Sequence, residues 1–125
     1  MKVLIVEDND DYINLLNTEF ELAGFEVVLA HDGLEGIEQA KNTNPDIILL
    51  DIILSKTLGF SLLRQLKKDD QIKSVPVVAM SNYSSRENEE KVNSLGAVKF
   101  IDKGSYKPSQ IVEEIRQILE RGKSM

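Results

Sequence analysis

Polar side chains of a particular kind stand wherever an apolar run of this chain ends. Val3 to Val6 lead into Glu7 and Asp8, and Ile47 to Leu50 end at Asp51. Val77 to Met80 end at Ser81, and Val98 to Ile101 lead through Asp102 to Lys103. Apolar runs of this length between helix-period segments read as parallel strands buried on both faces. In an open α/β sheet the carboxyl ends of such strands share one rim, and ligands bind there. Three carboxylates, a hydroxyl and an ammonium thus converge on one spot. That combination suits a phosphoryl group and a magnesium ion.

The elements that must position these residues follow from hydrophobic period and punctuation. Strands are predicted at Lys2–Val6, Glu26–Ala30, Asp46–Leu50, Val75–Met80 and Val98–Ile101. A helix over Asp10–Ala23, capped by Asn9 or Asp10, presents Ile13, Leu16 and Phe20, with Gly24 just past its end. Asp32 caps a second helix, Gly33–Asn42, with Leu34, Ile37 and Ala40 as its inner face and Pro45 as its stop. After a loop from Ile52 to Leu58, a third helix begins at Gly59 and carries Leu62, Leu63 and Leu66. A polar fourth helix, near Ser84–Leu95, offers only Val92 and Leu95, and Gly96 closes it. Pro108 opens the last helix, with Ile111, Ile115, Ile118 and Leu119 at helical spacing and a frayed tail from Arg121 to Met125. Strand and helix alternate throughout, which implies one parallel sheet covered on both faces by right-handed crossovers.

Composition bounds the function. At 125 residues the chain is read as a single domain, residues 1–125, large enough for one good core. A net charge of −6, with no cluster of lysine or arginine, argues against direct nucleic-acid binding. The absence of cysteine excludes disulfides and thiolate metal sites, and fits a reducing compartment. No apolar run is long enough to span a bilayer, so a cytoplasmic protein without membrane attachment is expected. His31 has no partner at metal-ligand spacing and reads as a surface residue.

Laid out in this order, the chain resembles the receiver domain of two-component response regulators, the chemotaxis-protein-like family, over essentially its whole length. The resemblance rests on Glu7-Asp8 after the first strand, Asp51 after the third, Gly59 eight residues on, Ser81 after the fourth and Lys103 after the fifth. It implies a flavodoxin-like (βα)5 doubly wound fold with strand order 2-1-3-4-5. It implies that Asp51 accepts a phosphoryl group as a mixed anhydride. Mg²⁺ would be held by Glu7, Asp8, Asp51 and the backbone carbonyl of Ile53, since a hard cation wants oxygen ligands. Ser81 would hydrogen-bond the phosphoryl oxygens, Lys103 would neutralise their charge, and Phe100 falls at the aromatic switch position.

The chain departs from the family pattern in places. Glu7 stands where Asp is commoner and Ser55 where Pro is frequent, while Asn82, larger than the usual Ala or Gly, narrows access to the site. Gly104 stands where Pro is usual. A cis bond there would cost about 2.5–4 kcal/mol without proline, so trans is expected.

The function implied is a phosphorylation-dependent signalling switch. It takes a phosphoryl group from a histidine kinase or phosphotransfer protein and alters a partner's affinity through the fourth helix, fifth strand and last helix. It is not an enzyme, beyond assisting its own phosphoryl transfer and dephosphorylation, and acts as a stand-alone receiver or a fragment of a longer regulator. The alternative is a receiver-like interaction module that is never phosphorylated, which would lack the acceptor, acid pair or lysine. A flavodoxin-like cofactor binder would need a Gly/Ser/Thr phosphate loop after the first strand, where Glu7 to Asp11 stand instead. A metal-dependent phosphohydrolase would need a cap segment or second acid–base group, and neither is visible.

Overall fold

Chain order in the computed structural model, which describes residues 1–53, 59–83 and 85–123, is a strict alternation of strand and helix. The strands are β1 (Lys2–Val6), β2 (Glu26–Ala30), β3 (Ile47–Asp51), β4 (Val77–Ser81) and β5 (Lys99–Asp102). The helices are α1 (Asp10–Leu22), α2 (Gly33–Thr43), α3 (Gly59–Lys68), α4 (Arg86–Ser94) and α5 (Pro108–Lys123). All neighbouring strands pair in parallel, in the order β2-β1-β3-β4-β5. The flavodoxin-like order expected from the resemblance is the order observed.

The two-residue period of the strands divides the core into two layers. Leu4, Val6, Ile48, Leu50, Val77 and Ala79 face α2, α3 and α4, where Ala40, Leu62, Leu66 and Val92 meet them. Val3, Ile5, Ile47, Leu49, Val78 and Met80 face α1 and α5, against Ile13, Leu16, Phe20, Ile111 and Ile115. Because both faces are dry, a slip of one residue in any central strand would exchange its two sets of side chains between unlike layers. The register, and with it the position of each strand end, is therefore tightly determined.

Helix ends follow side-chain chemistry. The Asn9, Asp32 and Ser85 side chains accept from the N–H groups of Tyr12, Glu35 and Asn88, capping α1, α2 and α4. Of the two candidates for the first cap, Asn9 is the one used. Gly24 and Gly96 take the positive φ values, 89° and 102°, that end a helix with least strain.

Several boundaries differ from the sequence reading. The strands expected at Asp46–Leu50 and Val75–Met80 lie later, so Asp51 and Ser81 are themselves ladder residues, paired with Met80 and Asp102. The polar side chain ends the apolar run, but the backbone hydrogen bonds carry on past it. β5 likewise includes Asp102, and Val98 before it is half exposed. Leu34, expected on the inner face of α2, is 73% exposed. Gly33, Gly36 and Ala40 are the buried residues there, because α2 sits close enough to the sheet that a Cβ at Gly36 would touch Val6. Asn44, with φ 49°, ends α2 before Pro45 is reached. The fourth helix starts at Arg86, α5 stays helical through Lys123, and Ser55, Ser84, Ser124 and Met125 lie outside the described residues.

Gly59 shows how the fold aims the site. A Cβ there would lie 2.2 Å from Ile52 Cα and 2.7 Å from the Asp51 carbonyl oxygen, and Gly59 N–H donates to the Ile52 carbonyl at 2.9 Å. The start of α3 is thus pressed against the backbone that carries Asp51. Gly59→Ala must push that backbone aside, and is expected to cost on the order of 3 kcal/mol, read as a lower urea midpoint.

Candidate functional site

β1 and β3 are adjacent at the point where strand order reverses, and their carboxyl ends deliver Glu7, Asp8 and Asp51 to one place. Glu7 and Asp51 are buried, at 1% and 4% exposure, while Asp8 is half-buried. One carboxylate oxygen from each of the three lies within 4.8 Å of the others. Lys103 enters from the end of β5, with its Nζ 2.7 Å from both Glu7 Oε2 and Asp51 Oδ2. The remaining oxygens are also used. Glu7 Oε1 accepts from Asn9 N–H at 3.1 Å, and Asp51 Oδ1 from Ile53 N–H at 2.8 Å.

Burial and charge set the protonation of this group. Desolvation pushes the Glu7 carboxyl up to about 7, helped by hydrogen bonding to and repulsion from Asp51 and opposed by Lys103. Desolvation alone would lower the Lys103 ammonium, but its hydrogen bonds and attraction to Asp51 and Glu7 prevail and hold it above the ordinary lysine value.

The segment before α5 is fastened by Asp102. Its Oδ1 accepts from Gly104 N–H and its Oδ2 from the Ser105 hydroxyl, both at 3.0 Å, while its carbonyl accepts from Ser105 N–H. Such a side-chain-closed turn does without proline. The Lys103–Gly104 bond is trans, as expected, and Lys103 N–H donates to the Ser81 carbonyl at 2.9 Å.

Of the other expected site residues, Ser81 is buried and its Oγ accepts from Tyr83 N–H at 2.9 Å. Ile53, Asn82 and Tyr83 line the mouth of a cleft of about 510 Å³ over the carboxylates, and all three are exposed. Phe100 is partly buried in the layer shared with α3 and α4, on the sheet face opposite Lys103. His31 is an exposed residue beside Glu35, away from the cleft. Tyr12 is the residue that sequence reasoning missed: it lines the cleft, and its ring lies under Lys103 Nζ, 4.5 Å from the centroid. Its spacing of four from Leu16 on the buried face of α1 was the available signal.

Comparison with known proteins agrees with this geometry. The family model described as the response regulator receiver domain matches residues 3–116. The chain belongs to that family. The receiver domain is 32% identical over 117 residues to the polar-differentiation response regulator DivK of Brucella anthropi, covering 94% of each chain. It superimposes with a TM-score of 0.89 on a CheY-like receiver domain protein from Methanospirillum hungatei, at 26% identity, covering 98% of this chain and 96% of that one. The fold is also that of the chemotaxis response regulator CheY4 of Vibrio cholerae, at TM-score 0.86 and 24% identity over 94% and 97% of the two chains. This receiver domain is accordingly a signalling switch operated by phosphorylation. Among its described residues no helix is long and apolar enough to cross a membrane.

The raised Glu7 carboxyl predicts a pH dependence in the metal-free receiver domain. Folded Glu7 holds its proton more tightly than the unfolded chain, so its contribution is full below pH 4.5 and lost as pH rises through about 7. Relative to Glu7→Gln, wild type should lose on the order of 1–3 kcal/mol of stability over that window. Parallel unfolding midpoints of the two proteins at pH 4.5 and 8 check this.

Proposed function

We propose that Asp51 is the phosphoryl acceptor of this receiver domain, with Glu7, Asp8 and Asp51 holding Mg²⁺ and Lys103 and Ser81 receiving the phosphoryl oxygens. The single observation that carries the reading is the buried Glu7–Lys103–Asp51 triad with Asp8 beside it. The donor set is all hard oxygen, and three carboxylates with one ammonium carry an excess of two negative charges when all are ionised. Both features fit a divalent cation. Ile53 joins that set through its carbonyl in this reading. When bound, the ion supplies charge neutralisation and polarises a phosphoryl oxygen.

The chain's own residues do the rest. An Asp51 carboxylate oxygen forms a bond to phosphorus as the bond from phosphorus to the donor's imidazole nitrogen breaks, and the leaving imidazole keeps the electron pair. Ile53 N–H and Lys103 fix the carboxylate for that attack. Lys103 then passes from a carboxylate oxygen to a phosphoryl oxygen, and the Ser81 hydroxyl, whose oxygen already accepts from Tyr83, donates its hydrogen to another.

Transmission to a partner follows from strand parity. Ser81 pairs with Asp102 and Ala79 with Phe100, so Ser81 and Phe100 are diagonal neighbours of one sheet face. A shift of Ser81 toward a phosphoryl group loosens the space beside Phe100, which turns inward. Phosphorylation biases that equilibrium only through its different interaction with the two packings. The surface of α4, β5 and α5 is the output face in this reading. A histidine kinase or phosphotransfer protein is the donor, and the cytoplasm the place of action. The protein is a stoichiometric acceptor that assists its own phosphoryl transfer and dephosphorylation, not a turnover enzyme.

Incubation with acetyl phosphate and Mg²⁺ should add the mass of one phosphoryl group, and Asp51→Ala should add none. Equal adducts in both proteins would move the acceptor elsewhere. No adduct in wild type would favour an interaction module that is never phosphorylated. In the same preparations Mn²⁺ should bind wild type saturably, and Asp8→Ala should lose that isotherm.

A further inference from the structure

Lys103 makes a third contact, to an aromatic ring. The Tyr12 ring lies 4.5 Å from its Nζ, and the lysine side chain is only 7% exposed. Tyr12 is held there by the same group of residues. Glu7 Oε2 takes Lys103 Nζ, Glu7 Oε1 takes Asn9 N–H, and Asn9 Oδ1 takes Tyr12 N–H at 2.9 Å. The Tyr12 ring then meets Lys103, so the contacts form a closed circuit through the helix cap of α1. The ring also packs into the α1–α5 layer, which prevents it from swinging away. Its hydroxyl, by contrast, is buried with no hydrogen-bond partner among the described residues.

We infer that Tyr12 is a positioning residue: its ring face holds the Lys103 ammonium at the acceptor while leaving the N–H groups for oxygen. An aromatic face attracts a cation without accepting a specific hydrogen bond, and the attraction grows when the cation is desolvated. Lys103 has to change partners when a phosphoryl group arrives, and a carboxylate or hydroxyl in Tyr12's place would hold one of its donors back. The ring keeps the ammonium near the same point before and after transfer, so little reorganisation is needed at the reacting centre. The hydroxyl contributes no bond to this function and costs its desolvation.

The inference rests on Asp51 as acceptor, and the experiment separates the two. Tyr12→Phe keeps the ring face, and Tyr12→Leu keeps an apolar filling of the same layer without it. Labelling by acetyl phosphate with saturating Mg²⁺ should be about tenfold slower in Tyr12→Leu, equivalent to ~1.4 kcal/mol of transition-state stabilisation, and restored to within about twofold by Tyr12→Phe. The thermal midpoint of Tyr12→Phe without metal should equal or exceed that of wild type, since an unpaired hydroxyl is removed. In a Lys103→Met background, Tyr12→Leu should slow labelling no further. Unchanged labelling in Tyr12→Leu, or an equal loss in both backgrounds, would reduce the ring to core filling and overturn the inference. If wild type takes no label, the acceptor reading fails by itself. The stability cycle of Tyr12→Leu and Lys103→Met then decides: coupling sustains the ring–ammonium contact, and additivity overturns it.

Discussion

Lys103 stands between two carboxylates that have almost no access to water, and the remainder of the rim is arranged around that pairing. Glu7 Oε2 and Asp51 Oδ2 are each 2.7 Å from its Nζ. Burying a charge is costly unless it is paired and hydrogen-bonded, and removing one partner of such a group strands the others. Every carboxylate oxygen of Glu7 and Asp51 has a donor: the ammonium on one side, the N–H of Asn9 or Ile53 on the other. The pairing thereby ties three strand ends, and the cap of the first helix, to one cation.

The sheet makes that pairing possible by parity as much as by proximity. Along β1 and β3, Glu7 and Asp51 follow Ile5 and Leu49, which face α1 and α5; Lys103 follows Ile101 onto the same side. Ser81 follows Ala79, and Phe100 packs with it, on the side of α3 and α4. The carboxylate–ammonium group and the Ser81–Phe100 pair therefore lie on opposite faces of one sheet and meet at its carboxyl edge.

Two hydrogen-bonding arrangements hold Lys103 at the rim. Asp102 closes the turn after Lys103 with both of its carboxylate oxygens, so glycine at position 104 does not leave the lysine on a slack loop. Glu7, longer by one methylene than an aspartate, reaches Lys103 and Asn9 at once, and this joins the ammonium to α1. The Asp102 turn is a short-range solution to the problem of aiming a flexible side chain, whereas Glu7 acts across 96 residues.

The sequence by itself determined the strand–helix alternation and the family, and singled out Glu7, Asp8, Asp51 and Lys103, which the structure brings to one rim. It could do so because strands buried on both faces must be apolar throughout, so a polar residue closing such a run marks the rim. Tertiary structure alone decided the rest. The Lys103 contacts bridge 96 residues to Glu7 and 52 to Asp51, and no local pattern encodes such a distance. β3, β4 and β5 take in Asp51, Ser81 and Asp102 because ladder hydrogen bonds depend on the neighbouring strand's register and not on side-chain type. Leu34 reads as core by spacing but lies outside, since α2 approaches the sheet through Gly33 and Gly36. Nothing in the local pattern of α1 singled out Tyr12 as the neighbour of a cation, because the cation its ring meets is carried by Lys103, far away in the chain.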